Sequence, residues 1–183
     1  SRTPLREAIA QLEHEGLVTV QPRRGVFIVR KTKADILEMV TVWAALESIA
    51  AGLATEIASD QQIAALNDLV EAVADDEIAE RMGEYSDANI RFHQAIIGLG
   101  QSALISRLTD DLFPHVRAIR RRTIFERDRA TRSITDHREI VAAIASRDRD
   151  RAERLVRAHT LKLHDHLEQY VDLEFAEART GAA

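Results

Sequence analysis

The chain has 183 residues, 45% of them hydrophobic, no cysteine, and a formal net charge of −5. That length suits one or two domains with a real apolar core, and the missing cysteines exclude a disulfide framework and thiolate chemistry, so a cytoplasmic address is expected. No stretch approaches the eighteen apolar residues a membrane span needs and no signal peptide is visible, so no membrane partner is expected.

Charge is unevenly spread. Residues 1–33 carry seven Lys/Arg against three acids, a net of +4, while the remaining 150 residues carry 18 against 27, a net of −9. A basic head on an acidic body places any nucleic-acid surface at the N-terminus. The boundary is expected between Arg30 and Ala34.

The head opens with a helix. Thr3 is a good N-cap, Pro4 suits the first helical position, and Gly16 is the expected stop. Leu5, Ala8, Ile9 and Leu12 recur at helical spacing and make one apolar face, with Arg2 and Arg6 projecting from the start of the helix away from it. Two arginines at the positive end of a helix dipole cost stability unless an anion answers them, and a DNA backbone is such an anion. Leu17–Val20 and Val26–Val29 flank Gln21-Pro22-Arg23-Arg24-Gly25, which predicts a β-hairpin with a cationic tip. A reading helix followed by a basic wing is the back half of a winged helix-turn-helix.

From residue 34 onward the apolar spacing is helical throughout, which predicts an antiparallel all-α bundle and a mostly α protein. Helices are expected over about 36–58, 59–75, 78–99 with a break near Gly83, and 103–125 kinked at Pro114. A polar loop at 127–132 should precede a helix capped by Ser133 and running to about Ala145, then one capped by Asp148 and running to about Tyr170. Residues 173–183 read as a fraying tail.

The short link 146–148 makes the last two helices an antiparallel pair, in which residues whose numbers sum to about 296 share a level; His137 and His159 do so. Two level imidazoles are what a metal site needs. His93, with Asn89 four residues earlier on the same face, is a third candidate. His115 fits less well, since a pivot near Gly100 leaves it about 12 Å from the level of His93 at 1.5 Å per residue. His14, His164 and His166 have no such partner.

Ser1-Arg-Thr-Pro-Leu-Arg-Glu-Ala8, Leu12-Glu13, Glu15-Gly16-Leu17 and Arg24-Gly25 resemble the recognition helix and wing of GntR-family bacterial transcription regulators. The resemblance implies that Arg2, Thr3 and Arg6 contact operator DNA, with Ser1 on a phosphate and Arg23-Arg24-Gly25 on the adjacent groove. Members of that family carry two further helices before this one. The chain as written is therefore expected to begin inside the DNA-binding domain (1–33), to leave the face of Leu5, Ile9 and Leu12 unsupported, and to bind DNA poorly by itself.

Phe92-His93, Gly100-Gln-Ser-Ala-Leu104, Asp136-His137-Arg138-Glu139-Ile140 and Arg157-Ala158-His159 resemble the FCD effector domain of the FadR-like branch, over about residues 34–172. In many such domains an acidic residue and three histidines hold a metal against which a small carboxylate effector sits. Carried over, the ligands are His93, His137 and His159, with Asn89 where the acid stands; the neutral amide would favour Zn or Ni over harder ions. An Arg of the first helix that commonly reaches the effector is Trp43 here, either a core residue or a wall of the effector cavity. Arg117 and Arg120 are candidates to replace the lost cation, although a solvated face suits each as well.

The resulting expectation is a homodimeric, metabolite-responsive transcription regulator, more often a repressor than an activator, with operator DNA and a small organic acid as partners. Two rivals compete with it. A metal-dependent helical enzyme would need a general base, and no carboxylate at a matched level stands out; Asp136 and Glu139 near His137 could equally orient its ring or be solvated. A helical interaction module with core histidines would bind neither metal nor metabolite.

Overall fold

In the computed structural model, residues 2–29, 31–72, 82–123 and 129–170 are described. Helix α1 (Arg2–His14) is followed by strands β1 (Val18–Gln21) and β2 (Gly25–Ile28). Six helices follow: α2 (Lys33–Ile57), α3 (Asp60–Glu71), α4 (Met82–Leu99), α5 (Ala103–Thr123), α6 (Arg129–Ala145) and α7 (Arg149–Tyr170).

The head forms a helix and a hairpin where the pattern predicts them, but α1 begins at Arg2, so Thr3 lies inside the helix instead of capping it and Pro4 is not its first residue. Gly16, at φ 66°, ends α1 in a Schellman arrangement, with Gly16 N–H on Glu13 O and Leu17 N–H on Leu12 O. β1 and β2 pair antiparallel with Val18 opposite Ile28 and Gln21 opposite Gly25. Pro22 and Arg23 occupy the middle of a turn closed by Arg24 N–H on Gln21 O at 3.0 Å. Arg23 has φ 64°, a left-handed conformation that costs an L-residue about 1–2 kcal/mol. The apolar face of this unit is uncovered: Leu5, Leu12, Val26, Phe27 and Ile28 are all exposed. Ser1 and Arg30 lie outside the described residues.

Thr32 caps α2, accepting from Asp35 N–H while the Asp35 carboxylate accepts from Thr32 N–H at 2.8 Å, a reciprocal capping box. α2 then runs through the middle of the bundle and packs against α4, α5, α6 and, most extensively, α7. By length and mean hydropathy α2 could cross a membrane, contrary to the reading that no stretch approaches a span; half of that stretch is buried inside this fold. It also carries the buried carboxylate of Glu47. Its apolarity is that of a helix surrounded by other helices.

The main core lies among α2, α3, α4, α6 and α7, around Leu66, Phe92, Ile96, Ile140 and Ile144. A second cluster joins the start of α2 to the end of α7 through Ile36, Val40, Leu163 and Leu167. A third holds Trp43, Ile97, Ile105 and Val116. Arg147, at φ 61°, closes α6, and its guanidinium answers the last carbonyls of α2 at Thr55 (3.3 Å) and Ala58 (2.6 Å) and pairs with Asp60. Those bonds satisfy orphan helix-end acceptors and offset the strained backbone.

One local expectation changes in the bundle. α6 begins at Arg129, so residues 129–132 are helical and Ser133 lies inside the helix instead of capping it. Ala130 is buried against the core, and that packing extends the helix past a good local cap signal. Gly83 is the second residue of α4, and 78–81, the other side of the expected break, lie outside the described residues. α5 carries Pro114 inside one helical element, as expected.

Candidate metal and effector site

Helical spacing on three helices brings His93 (α4), His137 (α6) and His159 (α7) together. Each offers a ring nitrogen, and the three nitrogens lie within 4.8 Å of one another. All three side chains are buried. The hairpin arithmetic for α6 and α7 holds: the Nε2 atoms of His137 and His159 are 3.2 Å apart. Two nitrogens bound to one tetrahedral Zn at about 2.0 Å would be about 3.3 Å apart.

Carboxylates behind two of the rings set their tautomers. His159 donates Nδ1–H to Asp136 at 3.0 Å, and Asp136 also accepts from Lys162 at 2.8 Å. His93 places Nδ1 against Glu47 Oε1. A carboxylate acceptor on Nδ1 leaves Nε2 with a free lone pair. His93 Nε2 is buried and has no hydrogen-bond partner, an orphaned acceptor of the kind a cation satisfies. His137 stacks on Phe92 with ring centroids 3.9 Å apart, and its Nε2 lies 3.3 Å from Ser133 Oγ. Ser133 in turn donates to Asn89 Oδ1 at 3.4 Å.

Electrostatics keep the imidazoles in the ligating form. Burial, then the charges of Arg120 and His159, push His93 well below the usual histidine range. Burial and the neighbouring rings do the same to His137. Burial lowers His159 as well, against the opposing hydrogen bond to Asp136. Burial would raise Asp136, but bonds from His159 and Lys162 outweigh it and hold the carboxyl below its ordinary value. The donor set therefore fits a borderline divalent cation such as Zn or Ni: three neutral nitrogens, two held from behind by carboxylates.

A cavity of about 490 Å³ opens beside this cluster, with His159 in its wall. Arg120, Arg129, Arg132 and Lys162 bring cations to it, Asp136 and Asp165 bring carboxylates, and Asn89, Ser133, His166 and Gln169 complete its polar lining. Arg120 is 6% exposed, its Nη2 lies 3.5 Å from Thr160 Oγ1, and its Nε is buried with no hydrogen-bond partner.

Several sequence expectations are corrected by this geometry. Trp43 does not line the cavity: it is buried in the core, its ring 6.0 Å from Phe113, donating Nε1–H to Glu47 at 2.9 Å. Arg117 is exposed and lies outside the lining, whereas Arg120 is buried in it and has no solvated face. Asp136 orients His159, not His137. His166, without a partner by spacing, is buried and reaches the cavity wall. His115 is half-buried near Glu15 and takes no part in the cluster. In the head, Thr3, Arg6, Arg23, Arg24 and Gly25 are all exposed.

Glu47 and Arg129 were missed altogether. The signal for Glu47 was an acid four residues after Trp43 on the face α2 buries; Arg129 was hidden by its assignment to the polar loop 127–132.

Residues 38–162 match the FCD domain family, and residues 1–28 match the bacterial regulatory proteins of the gntR family. The chain is 34% identical to the Nta operon transcriptional regulator of Aminobacter aminovorans, over 91% of this chain and 78% of that protein. It is 28% identical to the HTH-type transcriptional repressor GlaR of Escherichia coli K12, over 86% and 76%. Among solved structures, E. coli McbR/YncC superposes with a TM-score of 0.77 at 21% identity, covering 92% of this chain and 81% of that one. A GntR regulator from Rhodococcus sp. RHA1 gives 0.72 at 23% identity, covering 93% and 82%. These relatives are regulators and not enzymes, and the chain belongs to the GntR family of bacterial transcription regulators, with an FCD domain following its DNA-binding head.

Proposed function

We propose that this regulator senses a small organic acid in the cavity beside a divalent metal held by His93, His137 and His159, with Asn89 or a water completing the set. The observation that carries the reading is that His159 belongs both to the imidazole cluster and to the wall of a cation-lined cavity. A carboxylate entering there meets Arg120, whose Nε lacks a partner, and Lys162. A bound metal would add a Lewis-acidic positive charge for the same anion.

The cavity connects to the head through α7 and α2. α7 carries His159, Lys162 and His166 and accepts at Glu168 O from Lys33 Nζ at 2.8 Å. Lys33 is the first residue of α2, four residues beyond the described end of the wing at Val29. An effector that binds one arrangement of α7 better than another would thereby bias how the heads sit. In a homodimer acting in the cytoplasm, two heads would present Arg2, Thr3 and Arg6 to the half-sites of a two-fold operator. Ser1 and the Arg23-Arg24-Gly25 wing would sit on the flanking backbone and groove. Repression is the assigned sign, as in the relative named a repressor.

The test is a thermal-shift screen of organic acids with added Zn and with chelator. An acid that stabilises the Zn-loaded protein more than the chelated one, and that changes operator affinity, supports the reading. A panel of mono-, di- and tricarboxylates without effect in either state overturns it.

A further inference from the structure

We infer that Glu47 of α2 supplies the carboxylate charge that the metal position lacks at Asn89, acting as a positioning residue behind His93 and not as a ligand. This rests on the metal reading above.

Glu47 is fully buried, whereas the other acids among the described residues are mostly solvated. An interior carboxylate is costly unless each oxygen is answered. Here both are: Oε2 accepts from Trp43 Nε1 and from Thr160 Oγ1, each at 2.9 Å, and Oε1 faces His93 Nδ1. Trp43, Thr160 and His93 come from α2, α7 and α4, so the carboxylate is fixed by three helices and aimed at one imidazole. The outcome is a buried Nε2 with no hydrogen-bond partner, on a ring that clusters with His137 and His159.

The two positions complement each other. Asn89, four residues before His93 on α4, is buried and takes Ser133 as its neighbour, but an amide brings no charge. Three neutral imidazoles alone leave a dication uncompensated in a dry site. Asp136 behind His159 offers one negative charge, but it is shared with Lys162. Glu47 is the second: burial pushes its carboxyl above the ordinary range in the metal-free protein, against Arg120 and the bonds from Thr160 and Trp43, and a dication on His93 favours its charged form. A carboxylate hydrogen-bonded to a ligating imidazole raises its basicity and locks its tautomer, and loss of such a partner typically costs 10–100-fold in metal affinity.

A purely structural Glu47 would tie α2 to α7 and leave metal affinity alone. The experiment compares wild type, Glu47→Gln and Glu47→Gln/Asn89→Asp by chelator-competition titration with Zn, alongside thermal melts of the metal-free proteins. Glu47→Gln is expected to weaken Zn binding 10–100-fold; the metal-free melting temperature falls as well, because the buried guanidinium of Arg120 loses its counter-charge. Asn89→Asp should restore much of the lost affinity. Equal Zn affinity in wild type and Glu47→Gln overturns the inference and leaves the metal site standing; no Zn uptake by wild type overturns both. Should Glu47→Gln fail to fold, imidazole nitrogen NMR on Zn-loaded wild type decides. His93 with a proton on Nδ1 and metal on Nε2 supports the inference, and metal on Nδ1 overturns it.

Discussion

His159 and Asp136 lie on facing helices with Nδ1 and Oδ2 3.0 Å apart, and Lys162, one turn beyond His159, grips the same carboxylate at 2.8 Å. The three residues fix the ring at the border between the imidazole cluster and the cavity. Asp136→Ala is therefore expected to weaken Zn binding by 10–100-fold, measured by competition titration, because His159 loses the partner that sets its tautomer. The same variant releases a lysine into the cavity, so organic-acid binding to the metal-free protein should be retained. Unchanged Zn affinity would mean that Asp136 serves only Lys162.

Asn89 sits within reach of the cluster through Ser133 and carries no charge. Asn89→Asp should tighten Zn binding and raise the melting temperature of Zn-loaded protein, since a ligand bound only by the folded state stabilises it by mass action, about 2.7 kcal/mol at 100 times its Kd. His164→Ala should change neither quantity, because His164 faces Asp165 outside the cluster. An Asn89→Asp protein with weaker Zn binding would show that this position does not face the ion.

His137 and His159 were legible from helical spacing and link length, while His93 joined them through the family resemblance. Helical spacing fixes a residue's face, and a three-residue link fixes which levels of α6 and α7 meet. Glu47 and Arg120 were less so. An acid or a guanidinium on a helix is ordinarily solvated, and its burial depends on the rotation and closeness of helices far away in sequence: Thr160 for both, His93 for Glu47. Ser133 misled for the opposite reason. Its local preference for a cap is real, but the burial of Ala130 one turn earlier outweighs it.

Arg120 and Arg117 lie on the same helix three residues apart, one buried at the cavity and one exposed. Arg120→Met should abolish the thermal shift produced by any organic acid that stabilises wild type, while Arg117→Ala should leave it intact. Isothermal titration with that acid checks both. Equal affinities for wild type and Arg120→Met would move the anion to Lys162 and the remaining cations.

The wing carries a separate test. Arg23 holds a left-handed backbone that glycine adopts without strain, so Arg23→Gly should not lower thermal stability. It should weaken operator binding nearly uniformly across sequences and reduce the salt slope by about one, as expected for a lost phosphate contact. In a protein carrying two further helices ahead of α1, Arg6→Ala, on the exposed face of α1, should instead cost about 1–3 kcal/mol and relax specificity at one base pair. Fluorescence anisotropy over a salt series separates the two. Operator affinity unchanged in Arg6→Ala would place that side chain in solvent.

Elemental analysis after incubation with Zn or Ni and exhaustive desalting tests the site most directly. The arrangement of His93, His137 and His159 predicts one divalent ion per chain in wild type and none in His159→Ala. Protein that retains no stoichiometric metal under either condition would contradict it, and would make the three imidazoles hydrogen-bonding groups for the effector alone.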